Sequence, residues 1–225
     1  YEILLPYLEN WDSDLILKHS RAYLNVKGEG FFLPSGVLHG PGTALTIELQ
    51  ENSDVFAMLQ ALNAGKIISK ELLFKDIRWE DREKYGERII LNQIDWKANG
   101  DPYFYENHHL EPKLIKETKQ EGGQEYWIYY NTRKFSGKKL VVKPKCTFRS
   151  VDNGVYNILV WSGKGRYDGH EIGAGNFECD ELLISYEKAT KPLIVENTGK
   201  DDLLIIKFFG PDININIPII KQYKS

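Results

Sequence analysis

The chain has 225 residues, a formal net charge of −3, and 42% hydrophobic and 27% charged residues. That length suits one large domain or two small ones, and charge of both signs spread without long runs argues against a nucleic-acid or membrane-surface binder. No apolar run approaches the roughly twenty residues that a membrane-crossing helix needs.

The opening YEILLPYLEN has no basic stretch ahead of an apolar core, so it does not read as a signal peptide. It also lacks a methionine, and the chain is expected to be missing its natural beginning. Residues 15–25, LILKHSRAYLN, join a short apolar run to a turn. The stretch from Gly28 to Thr43, GEGFFLPSGVLHGPGT, is dense in glycine and proline and presents His39 just after a Pro-Ser-Gly turn. Gly28 and Gly30 permit a tight turn into a strand, and Pro34 and Gly36 suit a second turn at its end. Strands are then expected over 45–50 and 54–62. Along the first of these, Thr46, Glu48 and Gln50 share a face. If that face lines a pocket, Glu48 is the natural acid/base; otherwise it meets solvent.

Residues 78–94, RWEDREKYGERIILNQI, are charged, with Ile89, Ile90 and Ile94 at helical spacing, and predict one helix or a broken pair. The aromatic segment 103–112, YFYENHHLEP, either lids a site and lends it a histidine or packs on the surface through its tyrosines. Further strands are expected over 125–130, 138–144, 155–163, 192–199 and 201–210. Gly163-x-Gly165-Arg166 suggests a phosphate loop, but no helix follows, and a β-turn between strands is the better reading. The only cysteines, Cys146 and Cys179, could form one disulfide, but two free buried thiols are the better reading. With no Asn-x-Ser/Thr sequon, they make a cytoplasmic location the expectation.

An internal comparison points to duplication. VKGEGFF (26–32) matches EIGAGNF (171–177), with Gly28 on Gly173, Gly30 on Gly175 and Phe32 on Phe177. The flanking strand–turn–strand blocks follow in the same order. The match sets Tyr1 opposite roughly Cys146, so the first copy lacks counterparts to the strands at 125–130 and 138–144.

The pattern Gly28-x5-Pro34-x-Gly36-x2-His39-x3-Thr43 resembles the second conserved motif of the cupin superfamily, with Thr43 in place of the usual Asn. The resemblance extends most closely to bicupins similar to mannose-6-phosphate isomerase. It implies an all-β fold of two antiparallel jelly-roll barrels: an N-terminal barrel over 1–65, a partly helical linker over 66–124 and a degenerate C-terminal barrel over 125–225. It also implies a divalent metal (Mn, Fe, Ni or Zn) held by His39, with Glu48 moving the proton in an isomerase-like reaction on a sugar or sugar phosphate, and a homodimer. The superfamily's first motif, which supplies two histidines and a glutamate, has no match here. His19 is the sole histidine ahead of Gly28, and Thr147 and Arg149 stand at the corresponding places of the second copy. A non-catalytic carbohydrate-binding or assembly module, or an iron-dependent dioxygenase, are the alternatives.

Overall fold

The computed structural model describes residues 1–13, 15–53 and 55–224. The chain opens with α1 (Leu5–Asn10), which has a proline in its first turn and ends where Trp11 turns left-handed (φ 49°). Pro suits that first turn because its missing N–H has no helical partner there. After a 3-10 turn at Leu15–His19 come the two-residue strands β1 (Gly30–Phe31), β2 (Leu62–Asn63) and β3 (Lys66–Ile67). The charged stretch forms a broken pair of helices, α2 (Trp79–Tyr85) and α3 (Arg88–Leu91), interrupted at Gly86 (φ 55°). Two short helices follow, α4 (Trp96–Asn99) and α5 (Phe104–His108). Leu5, Leu8, Trp11, Leu73, Ile90 and Leu91 form a small core that ties the chain's start to α3.

From residue 109 the chain becomes sheet: β4 (His109–Leu110), β5 (Lys113–Leu114), β6 (Gly123–Tyr129), β7 (Ser136–Val142), β8 (Thr147–Ser150), β9 (Tyr156–Ser162), β10 (Lys164–Tyr167), β11 (His170–Gly173), β12 (Glu181–Ile184), the helical turn α6 (Tyr186–Ala189), β13 (Leu193–Asn197) and β14 (Leu203–Phe209). One antiparallel sheet has the order β12-β9-β14-β7-β6-β5 and the other β11-β10-β13-β8. The chain passes repeatedly between them, and Leu140, Val142, Phe148, Ile158, Val195, Leu203 and Ile205 pack from both sides into the main core. Period-2 alternation explains the arrangement: on β14, Leu203, Ile205, Lys207 and Phe209 turn inward. The two sheets share no strand, so this unit is a two-sheet sandwich with free edges, not a closed barrel.

Among the described residues of 1–65 the only strands are the two-residue β1 and β2, so the expected first barrel is not seen. Residues 45–50 form no strand, and Asp54, where the next one was expected to begin, lies outside the described residues. The internal match fails on backbone geometry. Gly28 is left-handed (φ 90°) at a turn closed by Glu29 N to Val26 O (3.0 Å), whereas Gly173 ends β11 without that conformation. Gly30 lies in β1, whereas Gly175 is the left-handed residue of its pair (φ 72°). Phe32 packs against Leu110, Tyr130 and Ile217, while Phe177 is 99% exposed. Similar letters therefore serve different local structures.

Candidate functional site

A polar layer crosses the sandwich interior at the register of Lys138 and Lys207, which face each other on β7 and β14. Below it, toward the other end of the strands, lie Leu140, Val142, Leu203 and Ile205, all inaccessible to solvent. Glu125 projects from β6, Ser150 from β8, Tyr156 from β9 and Tyr167 from β10, with Asp152 just past β8. Lys207 Nζ donates to Glu125 Oε1, to Ser150 Oγ (2.6 Å) and to Asp152 Oδ2 (2.7 Å). Lys138 Nζ donates to Asp152 Oδ1 (2.6 Å) and stands 3.7 Å from Glu125 Oε2. The hydroxyls of Tyr156 and Tyr167 are 2.7 Å apart, and Tyr167 OH donates to Ser150 Oγ (3.3 Å).

Two ammonium groups thus meet two carboxylates, and the layer carries no net charge. Taking ions out of water costs several kcal/mol each unless partners with good geometry replace the lost hydration. Here they do: among the described residues no buried side-chain nitrogen or oxygen lacks a hydrogen-bond partner. The protonation states follow from these neighbours. Burial opposes the charge of Lys207, but the carboxylates of Glu125 and Asp152 hold its ammonium well above the ordinary lysine range. Burial likewise opposes ionisation of Asp152, yet Lys207 and Lys138 keep its carboxyl below the usual range. Burial drives the Tyr156 and Tyr167 hydroxyls far up, so both stay neutral donors.

The upper end of the sandwich is closed by residues 211–224, which leave β14 without regular secondary structure. Asn214 is buried and donates to Ser136 Oγ (3.1 Å), one inward position beyond Lys138 on β7. Ile213 packs against the main core beside Gly154. Farther on, Asn107 and Tyr223 exchange hydrogen bonds: Tyr223 N to Asn107 Oδ1 (2.6 Å) and Asn107 Nδ2 to Tyr223 O (3.1 Å).

The residues singled out in the sequence lie elsewhere. His39 is exposed and its ring Nδ1 donates to the Val37 carbonyl two residues away (2.9 Å). Glu48 is exposed, in a segment without strand structure. The two share no hydrogen bond or ion pair, and neither touches the polar layer. The turn before His39 forms as its residues suggest, with Val37 N donating to Pro34 O (3.2 Å) around Gly36 (φ 81°). Its purpose in this structure is docking: Asp95 N (3.0 Å) and Asn99 Nδ2 (2.8 Å) both donate to Gly36 O.

In the 103–112 segment, His108 Nδ1 donates to Phe32 O (2.8 Å), while His109 pairs with Glu29 (2.8 Å) and stacks on Tyr105. The adjacent histidines serve different partners. Gly163–Glu171 is the hairpin of β10 and β11, turned at Asp168 (φ 49°) and Gly169 (φ 85°), as the β-turn reading expected. Cys146 and Cys179 are free. The sequence reading missed the polar layer, although its signal is present: Lys207 interrupts LLIIKFF at an inward position of an otherwise apolar strand.

No family model matches the chain, and no curated protein matches it. Solved structures do resemble it. One is the Cupin_2 domain of an XRE family transcriptional regulator from Enterobacter cloacae, with 12% identity over 40% of this chain and 96% of that chain, at a TM-score of 0.33. A second is an RmlC-like cupin protein from Ralstonia eutropha, with 12% identity, covering 54% and 74%, at 0.34. A third is the oxalate decarboxylase of Bacillus subtilis, studied for its Mn(II) centres, with 22% identity, covering 55% of this chain but 34% of that one, at 0.36. These neighbours are cupins.

Among the described residues, no group of three or more His, Cys, Asp and Glu side chains is placed to hold a metal ion. The interior carboxylates Glu125 and Asp152 face two ammonium groups, whose charge opposes a dication. The residues present do not fit a metal in this layer.

Proposed function

We propose that the chain is a cupin-type module that binds a small polar molecule without a metal, at the ion-paired polar layer of Lys138, Lys207, Glu125 and Asp152 inside its sandwich. The arrangement of those two lysines around Glu125 and Asp152 carries the reading. Paired with carboxylates in a dry interior, the two ammoniums hold a fixed, electrically neutral array of donors and acceptors whose interactions are stronger there than in water. The Mn(II) of the oxalate decarboxylase neighbour is not carried over, and neither is the isomerase chemistry that the sequence resemblance implies. That chemistry needs His39 and Glu48 at one site, and both lie in exposed segments without regular secondary structure. Of the sequence alternatives, the non-catalytic binding module is the one the geometry supports.

The test is elemental analysis of the purified chain alongside thermal unfolding with and without a chelator. Substoichiometric metal and an unchanged midpoint are expected. A stoichiometric metal that is lost in His39→Ala would overturn the proposal and restore the enzyme reading.

A further inference from the structure

Lys207 holds a nucleophilic nitrogen against a carboxyl group in a place closed to solvent. Its side chain and that of Asp152 are both 0% exposed, and that of Glu125 is 1% exposed. Lys207 Nζ stands 2.7 Å from Asp152 Oδ2, so the carboxyl carbon Cγ lies no more than one C–O bond farther away. Glu125 Oε1 accepts a hydrogen bond from the same Nζ, which places it to take a proton. The other oxygen of Asp152, Oδ1, faces the Lys138 ammonium at 2.6 Å. The Tyr156 ring centre lies 5.3 Å from Lys207 Nζ and lines the group with apolar surface.

One cluster thus holds an amine, a base that touches it, a carboxyl carbon within its reach, and a cation on the oxygen where negative charge would develop. Lys138 is not the nucleophile, because Glu125 stands 3.7 Å from it, beyond hydrogen-bond range. Burial is the largest influence on both Asp152 and Lys207, and it favours the uncharged acid and amine. The facing charges restore the ion pair as the resting state. A proton moved along the 2.7 Å hydrogen bond converts one form to the other and leaves the layer's net charge unchanged.

We propose that Lys207 and Asp152 condense to an intramolecular amide, a covalent tie between the two sheets, with Glu125 as the proton relay. The first Nζ proton passes to Oδ2, leaving a neutral amine and a neutral acid. The nitrogen lone pair forms the bond to Cγ while the carbonyl electron pair moves onto Oδ1, opposite Lys138. Glu125 takes the second Nζ proton and delivers it to the Oδ2 hydroxyl. The Cγ–Oδ2 bond breaks with its electron pair on oxygen, Oδ1 regains its double bond, and one water departs. The third Nζ proton stays on the amide nitrogen, and no oxidant or reductant is needed. Contact between the groups replaces a bimolecular encounter, an advantage that reaches about 10⁵ M or more in effective concentration. Glu125 and Lys138 remain as opposite charges, so the layer stays neutral. The bond joins β14 of one sheet to the turn after β8 of the other, two sheets that share no strand. Ion-pair energetics belong to the unlinked chain. The inference stands apart from the binding reading above, since it concerns a bond within the chain and not a ligand.

The test is intact-mass spectrometry of the purified full chain, incubated folded at neutral pH and then denatured. A mass below the sequence mass by one water is expected. Trypsin should fail to cut after Lys207, and tandem spectra of the digest should place the bond between Lys207 and Asp152. Glu125→Gln removes the relay and should keep the full sequence mass, with circular dichroism reporting whether it folds. If it does not fold, the wild-type mass and the mapped bond still decide. A wild-type chain that keeps its full mass overturns the proposal. So does a water lost at Asp168–Gly169, where ring closure of the aspartate needs no lysine. A bond from Lys138, or one to Glu125, overturns the roles assigned to these groups, and so does a Glu125→Gln chain that links as fully as wild type.

Discussion

Lys207 and Glu125 form an ion pair on the inner face of one sheet in which neither side chain is more than 1% exposed. The pair joins β14 to β6 over the inner face of β7, which lies between them. Removing one member strands the other, and an uncompensated buried charge costs more than the pair itself contributes. Lys207→Met is therefore expected to lower unfolding free energy by about 3–5 kcal/mol. Glu125→Gln added to Lys207→Met should recover part of the loss. Urea denaturation of the two single variants and the double measures this coupling, and additive losses would mean that the charges act independently.

Within the glycine-rich motif, Gly36 and Gly30 should respond differently to alanine. A Cβ at Gly36 would stand 2.9 Å from Asp95 N and 3.0 Å from Gln93 O, at a φ of 81°. Both the backbone conformation and the docking on α4 suffer, at a cost of about 1–3 kcal/mol. Gly30 lies in β1 with nothing within 4 Å and no left-handed φ. Gly30→Ala should be neutral within about 0.5 kcal/mol. Thermal unfolding midpoints decide, and equal effects would show that the turn is not under the constraint described.

Legibility in the sequence followed local redundancy. Tyr156–Ser162 and Leu203–Phe209 combine β-branched or aromatic residues, clear ends and neighbours able to pair, so they read correctly. Residues 45–50 have the same alternation but no paired strand beside them. A strand is a relation between segments, and alternation shows only that a segment is suited to pair. The duplication failed for a related reason: Gly28 and Gly173 are the same letter in different φ regions, which sequence does not display. The polar layer combines Glu125, Lys138 and Lys207 from separate strands with Asp152 from the turn after β8. Each looks like ordinary surface charge until parity on β7 and β14 turns the lysines inward.

His39→Ala tests the residue that the sequence favoured most. The imidazole is exposed and bonds only to the Val37 carbonyl in its own turn. A surface bond of this kind contributes little beyond what water supplies. The substitution should shift stability by no more than about 0.5 kcal/mol. Chemical denaturation checks it, and a loss above about 1.5 kcal/mol would indicate a partner for His39 that this geometry lacks.

The polar layer also fixes how stability depends on pH. The folded Asp152 carboxyl titrates below its unfolded range because Lys207 and Lys138 outweigh its burial. Its contribution is present above the unfolded value of about 4 and is lost as pH falls through the folded one. The folded Lys207 ammonium titrates above its unfolded value, with Glu125 the largest favourable influence against burial. Its contribution is complete below about 10.4 and is lost as pH rises through the folded value. These two groups therefore support a plateau between about pH 4 and pH 10. Urea midpoints across pH should show it. Asp152→Asn removes the acid-side linkage while leaving Lys207 one charged partner fewer at neutral pH. The variant should be well below wild type on the plateau, and the two curves should draw together as pH falls below about 4. A difference that stays constant into acid would mean that the Asp152 carboxylate does not carry the linkage, and that its pairing with the two lysines is weaker than their 2.6 and 2.7 Å contacts require.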